Sequence, residues 1–265
     1  MNFGEIRAQM YAHNLRGYPC LLDWRHSPYT CLKARYYMEF SAVLVWFLQK
    51  TPITANMVTV AYVACGFATM ILLAVPSRWA VLAAILVAFN KGIFDWSDGA
   101  LARLRGQCSG KGHILDCYGA IVNDVGLLTG LGLYVATRSG QDLYWLAVPV
   151  IPVLYALDLP RFRDHILQTT PPAVQDAQSS DRCALKGAEE TPAVSRLSWR
   201  GQAFTAFEAI LDARARGVDT ICAILAMELA TDIRISWAVF LFLVFKHIVI
   251  YVLQTGRYLA SGPDA

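Results

Sequence analysis

Three carboxylates in this sequence stand where one hydrophobic stretch ends and another begins. They are Asp95 and Asp98, in the run Asp95-Trp-Ser-Asp98-Gly99-Ala-Leu-Ala102-Arg103, and Asp116, in the run Gly112-His-Ile-Leu-Asp116. A carboxylate beside the bilayer core is costly unless something cationic pairs with it. Asp95 and Asp98, three residues apart, project from one face of a helix. Gly99 and Ala102 lie on nearly the same side and leave the backbone open to approach. Gly112 and Asp116, four apart, repeat the arrangement at the start of the next segment. Two helix ends therefore aim carboxylates and small residues at one space. Oxygen-only ligands suit a hard cation, Mg²⁺ or Mn²⁺, of a kind that usually also binds substrate phosphates. Arg103 can fork two hydrogen bonds to a phosphate; anchoring lipid headgroups near a helix end is its plainer use.

The elements that must position these groups follow from hydrophobicity. The chain has 265 residues, 56% hydrophobic and 16% charged, with mean hydropathy +0.40. A soluble domain carries about 25% charged residues, and the long apolar runs agree with the deficit in pointing to a membrane. The expected fold is all-α: a polytopic membrane protein with six transmembrane helices, preceded by an N-terminal interfacial helix. A net charge of +3 is too small to argue for nucleic acid, and no basic patch with interleaved aromatics appears. The seven cysteines are odd in number and contain no CxxC, which suggests free thiols rather than a disulfide framework or a zinc site. The first forty residues are mixed and charged, without the apolar core of a signal peptide.

Residues 1–50 are expected to form a cytoplasmic and interfacial segment. Within it, residues 38–49 are apolar but too short to span, and would lie at the interface with Trp46 at headgroup depth; packing against the bundle is the alternative. A six-helix domain is expected over 51–257, with a tail at 258–265. Pro52 stops one helix, and Thr54 or Asn56 can cap the next. Spans are expected near 56–75, 79–97, 117–137, 143–157, 217–230 and 235–255. Pro149 and Pro152 predict a kink in the fourth, and the fifth carries the weakest signal. Lys91, inside the second, either faces the site or snorkels to the interface. Residues 104–111 form a Gly-rich basic loop. Residues 158–202 are polar and proline-punctuated, a cytoplasmic loop, and the amphipathic stretch 203–216 leads into the fifth helix. Of the 23 Lys and Arg, Arg78, Arg138 and Arg234 fall on the side opposite the termini, and Lys91 and Lys246 fall within spans. All the others share the side of the termini and of the three aspartates, so the site is expected to face the cytoplasm.

The spacing resembles the signature of the CDP-alcohol phosphotransferases (CDP-alcohol phosphatidyltransferases), D-x2-D-G-x2-A-R-x8-G-x3-D-x3-D. Asp95, Asp98, Gly99, Ala102, Arg103, Gly112 and Asp116 fall on it; the last position holds Ala120 in place of Asp. Upstream, Thr51-Pro52-Ile-Thr54-Ala55-Asn56-Met-Val58-Thr59 resembles the T-P-x-T-P-N-x-V-T that opens the family's first membrane helix, with Ala55 where Pro is usual. The resemblance implies metal-dependent transfer of a phosphoalcohol or phosphatidyl group from a CDP-linked donor to an acceptor hydroxyl, with release of CMP, in phospholipid or related phosphodiester synthesis. The donor would be CDP-diacylglycerol or a CDP-amino alcohol. Asp95, Asp98 and Asp116 would hold Mg²⁺ or Mn²⁺, and Gly99, Ala102, Arg103 and Gly112 would receive the substrate. The resemblance further implies six-helix chains paired as a homodimer in the lipid bilayer.

Ala120 is the departure that matters. In the family this position supplies both a metal ligand and the base for the acceptor hydroxyl, and a methyl group is neither. Asp124 lies about 12 Å along a helix from Asp116, too far to join the same cluster. His113 is nearer, although single histidines near interfaces are more often solvated. Three explanations stay open: an exchange introduced to inactivate the protein, a natural loss of activity, or a reaction run with one metal and another base. The intact state of the other seven positions favours the first. The alternative function is a catalytically silent relative that binds a CDP-alcohol or a partner without turnover. A small transporter is a third class, suggested by Lys91, Asp124 and Lys246, but no paired half-repeats are visible.

Overall fold

A computed structural model describes residues 1–24, 28–157, 214–231 and 233–260, and all regular structure among them is helical. The elements are α1 (Phe3–Gly17), a 3₁₀ turn (Pro19–Leu22), α2 (Pro28–Leu48), α3 (Ala55–Ala74), α4 (Arg78–Leu104), α5 (Gly110–Ser139), α6 (Asp142–Ala147), α7 (Val150–Ala156), α8 (Arg214–Thr231) and α9 (Ser236–Ala260). The expected loop at 158–202, the stretch 203–213 and residues 261–265 lie outside the described residues.

Four helices among the described residues are long and apolar enough to cross a membrane: α3, α4, α5 and the part of α9 from Ser236 to Leu253. Six were expected, and the two others differ for separate reasons. The fourth expected span is broken into α6 and α7, with Pro149 as the residue before α7. Proline lacks the N–H that would continue the ladder from α6. Pro152 sits in the first turn of α7, where a missing N–H costs nothing. The fifth lies within α8 (Arg214–Thr231), which carries Arg214 and Arg216 ahead of the expected span and Asp219 and Glu228 inside it, and α8 is not among the four by length and composition.

The described residues divide into two compact units. One comprises 1–24, 28–64 and 90–120; the other comprises 65–89, 121–157, 214–231 and 233–260. In the first unit, α1 opens with a capping box. The Asn2 side chain accepts from the Glu5 N–H at 2.9 Å, and Glu5 accepts from the Asn2 N–H at 2.9 Å. Both donors would otherwise be orphaned at the helix start. Ile6 and Met10 of α1 pack with Ala42 and Val45 of α2, Ala55 and Val58 of α3, and Ala100 and Leu101 of α4. Arg7 binds Glu39 of α2 at 2.6 Å, and the Tyr11 hydroxyl donates to the same carboxylate at 2.6 Å. Arg7, and after it Tyr11, hold the Glu39 carboxyl below the usual carboxylate range against the opposing effect of burial. Arg105 donates to the Leu48 carbonyl at 2.7 Å and the Thr51 carbonyl at 2.8 Å. It thereby adds to the bonds that Thr51 makes to the Leu48 carbonyl where α2 ends, and fixes the turn into α3.

In the second unit, Tyr134, Leu131, Leu73, Phe240 and Ile151 are buried in one cluster. Gly126 of α5 meets the backbone of Gly66 in α3, the close helix approach that small residues permit in membrane proteins. Glu228, 2% exposed, accepts from the Ile235 and Ser236 N–H groups at 2.6 Å each. A carboxylate from α8 thus caps α9, where the helix dipole favours negative charge.

Candidate active site

The first unit contains all eight signature positions, with Lys91 and His113; Asp124 and Lys246 fall in the second. α4 carries Asp95 and Asp98 near its C-terminal end, and α5 carries Asp116 in its second turn. Two local signals fix the turn between them. α4 closes in a Schellman arrangement: Gln107 N–H donates to the Ala102 carbonyl at 2.8 Å and Gly106 N–H to the Arg103 carbonyl at 3.2 Å. Gly106 takes φ of 62° there, a left-handed conformation that glycine adopts without a Cβ penalty. α5 then opens on Ser109, whose Oγ accepts from the Gly112 N–H at 3.1 Å, the expected N-cap bond.

Asp98 is 6% exposed, and Thr59 of α3 donates to its Oδ2 at 2.7 Å. Asp95 is half-buried. Its carboxyl lies within electrostatic range of Asp116, Asp98 and Lys91. The three carboxylates therefore share one neighbourhood, contributed by two helix ends. Lys91, one turn before Asp95, lies within electrostatic range of that carboxylate.

The small residues fall into two sorts. A Cβ on Gly99 would come within 3.2 Å of Arg103 Nη1, so the guanidinium folds back over this glycine. A Cβ on Gly112 would come within 3.3 Å of both Asn56 Oδ1 and Ser109 Oγ. Ala102 packs against the apolar core of the unit. Ala120 is exposed on α5, one turn beyond Asp116. His113 has its ring 3.7 and 3.8 Å from the Cys117 thiol.

Two polar partners were missed as site residues. Thr59 and Asn56 were read only as the opening of a membrane helix, yet Thr59 orients Asp98 and Asn56 stands beside Gly112. Their polar side chains on an otherwise apolar helix were the available signal.

The donor chemistry suits a hard divalent cation, since Asp95, Asp98 and Asp116 offer carboxylate oxygens only. Three adjacent carboxylates also call for positive charge beyond that of Lys91 and Arg103. Among the described residues, no three Asp, Glu, His or Cys side chains are gathered closely enough to hold a metal as they stand; Asp98 is engaged by Thr59 instead.

The family described as CDP-alcohol phosphatidyltransferase has a model that matches residues 52–158. That range contains all eight positions of the signature. No curated protein and no solved structure matches the chain.

Proposed function

We propose, from the CDP-alcohol phosphatidyltransferase domain at residues 52–158, that this chain moves a phosphatidyl or phosphoalcohol group from a CDP-linked donor to an alcohol. The observation that carries the proposal is the shared neighbourhood of Asp95, Asp98 and Asp116 within the matched residues. In the reaction, the acceptor oxygen attacks phosphorus, the acceptor proton passes to a base, and the P–O bond to CMP breaks with its electron pair leaving on CMP.

Asp95, Asp98 and Asp116 are the residues that would hold Mg²⁺ or Mn²⁺. A divalent cation there supplies positive charge against the diphosphate oxygens as charge develops on them. The remaining work falls to the chain's own groups. Thr59 orients Asp98 through its hydrogen bond. Arg103 offers paired donors to a phosphate oxygen. Gly99 and Gly112 keep side-chain bulk away from the donor. The excess of Lys and Arg on one side supports a site open to the cytoplasm, and the resemblance supports a homodimer in the bilayer.

Ala120 leaves the acceptor proton without the carboxylate that the signature provides, so turnover by this chain is impaired. The test uses the Ala120→Asp protein in lipid vesicles with CDP-diacylglycerol, Mg²⁺ and a panel of alcohols, with CMP release as the readout. The expected result is Mg²⁺-dependent release that a chelator stops and that the parent chain shows only weakly. An Ala120→Asp protein that binds neither a CDP-alcohol nor a divalent cation overturns the reaction class. The second reading, a silent binder, is favoured by Ala120 itself. It predicts CDP-alcohol binding by calorimetry, with no CMP release from either protein.

A further inference from the structure

Lys91 lies inside α4, a helix long and apolar enough to cross a membrane. An ammonium there is costly unless negative charge meets it. At 100° per residue, Asp95 stands about 40° from Lys91 around the helix and Asp98 about 20° to its other side. The three residues therefore share one face, and Asp95 begins about 6 Å further along the axis, within the reach of a lysine. Asn90 and Gly92 stand about 100° to either side of Lys91. Asn90 accepts from the Tyr36 hydroxyl of α2, and a Cβ on Gly92 would come within 2.7 Å of the Tyr37 ring of α2. α2 thus packs on the side of α4 opposite Lys91. The other side is the one that α3 approaches, where Thr59 meets Asp98. Lys91 is half-buried there, and its charge bears on Asp95.

We infer that the Lys91 ammonium is the built-in counter-cation of the acidic cluster: it pairs with Asp95 while no divalent cation is bound, and it opposes the entry of one. Carboxylates held this close repel one another unless positive charge lies among them. The ammonium supplies that charge from the same helix and holds Asp95 toward Asp98 and Asp116. The same charge repels a second cation, so the lysine lowers the affinity of the site for a free metal ion. Lys91 is therefore a positioning residue that acts through Asp95, and it lies outside the family signature, which begins at Asp95. The inference rests on the reading of Asp95, Asp98 and Asp116 as a divalent-cation site, and it names the residue that tunes that site.

The experiment uses the full chain in an uncharged maltoside detergent and has two parts. In EDTA, thermal midpoints are compared for the parent, Lys91→Gln, Asp95→Asn and the double variant. The inference expects Lys91→Gln to lower the midpoint of the parent and to lower it less beside Asp95→Asn, the non-additivity of a pair in contact. Without EDTA, Mn²⁺ is titrated and free Mn²⁺ is read by electron paramagnetic resonance. Lys91→Gln should tighten Mn²⁺ binding by about ten-fold or more, because an opposing charge is gone. Lys91→Arg, which keeps the charge, should bind as the parent does. A lysine that only packs, or that reaches the lipid headgroups, gives no such gain. Lys91→Met takes the place of Lys91→Gln if that protein does not fold. Additive midpoints, or Mn²⁺ binding in Lys91→Gln that is equal to or weaker than the parent's, overturn the inference and leave the cation site standing. Absence of saturable uptake by both the parent and Lys91→Gln overturns the cation site itself, and the inference with it.

Discussion

Thr59 donates its hydroxyl to Oδ2 of Asp98 across 2.7 Å, and both side chains are buried. A buried carboxylate that loses its donor bears a desolvation cost of about 1–3 kcal/mol, more if it stays charged. Thr59→Val, which keeps the shape and removes the hydroxyl, is therefore expected to lower the thermal midpoint and to weaken Mn²⁺ binding. Thr59→Ser keeps the donor and should restore most of the cation affinity. Equal losses in both variants would show that packing, rather than the hydrogen bond, is what matters at this position.

Close packing behind the site gives a second expectation. A Cβ on Gly119 would fall 2.7 Å from Tyr62 Cδ1, and Tyr62 is only 5% exposed. The ring has nowhere to move, so Gly119→Ala should destabilise by about 1–3 kcal/mol, the usual effect of overpacking. Gly110, the first residue of α5, has nothing within 4 Å of its hypothetical Cβ, and Gly110→Ala should change stability by less than about 0.5 kcal/mol. Chemical denaturation of the two variants in the same detergent compares them directly.

The contact between α1 and α2 should depend on pH. Arg7, then Tyr11, depress the folded-state value of Glu39 below its unfolded value, about 4.3 for glutamate. The contribution of a depressed carboxylate is complete above its unfolded value and is lost as pH falls through the lower folded value. Hydrogen-exchange protection of Phe3–Gly17 should therefore stay level from neutral pH to about 5 and decline below about 4. Its size will be modest, because the Glu39 side chain is 37% exposed and water screens such pairs. Glu39→Gln should remove the pH step altogether.

The parts of this protein that could be read from sequence are those with short-range signals. Asp95 and Asp98 declare their common face by a spacing of three. Gly106 and Ser109 mark the end of one helix and the start of the next. Pro149 shows in advance where the chain breaks between α6 and α7. Thr59 and Asp98 are 39 residues apart, and no local pattern joins them; only the packing of α3 on α4 does. A one-dimensional pattern does not decide between snorkelling and facing the site for Lys91, because both leave the same residue at the same position. α1 was missed because residues 1–17 mix polar and apolar residues without a long apolar run, although Asn2 and Glu5 already carried a capping signal and Ile6 and Met10, four apart, a buried face. The fifth expected span, 217–230, carried the weakest signal because Asp219 and Glu228 stand within it. Glu228 could not be anticipated as the cap of another helix, since its partners Ile235 and Ser236 lie beyond the end of its own.

The central claim is that Asp95, Asp98 and Asp116 together receive a divalent cation. Mn²⁺ titration followed by electron paramagnetic resonance addresses it most directly, on the chain with Ala120 as it stands and on Asp95→Asn and Asp116→Asn. The account predicts saturable binding that Mg²⁺ displaces and that either asparagine variant weakens by about ten-fold or more, roughly the free energy of one charged ligand. Uptake of Mn²⁺ that is equal in all three proteins, or that never saturates, would contradict it.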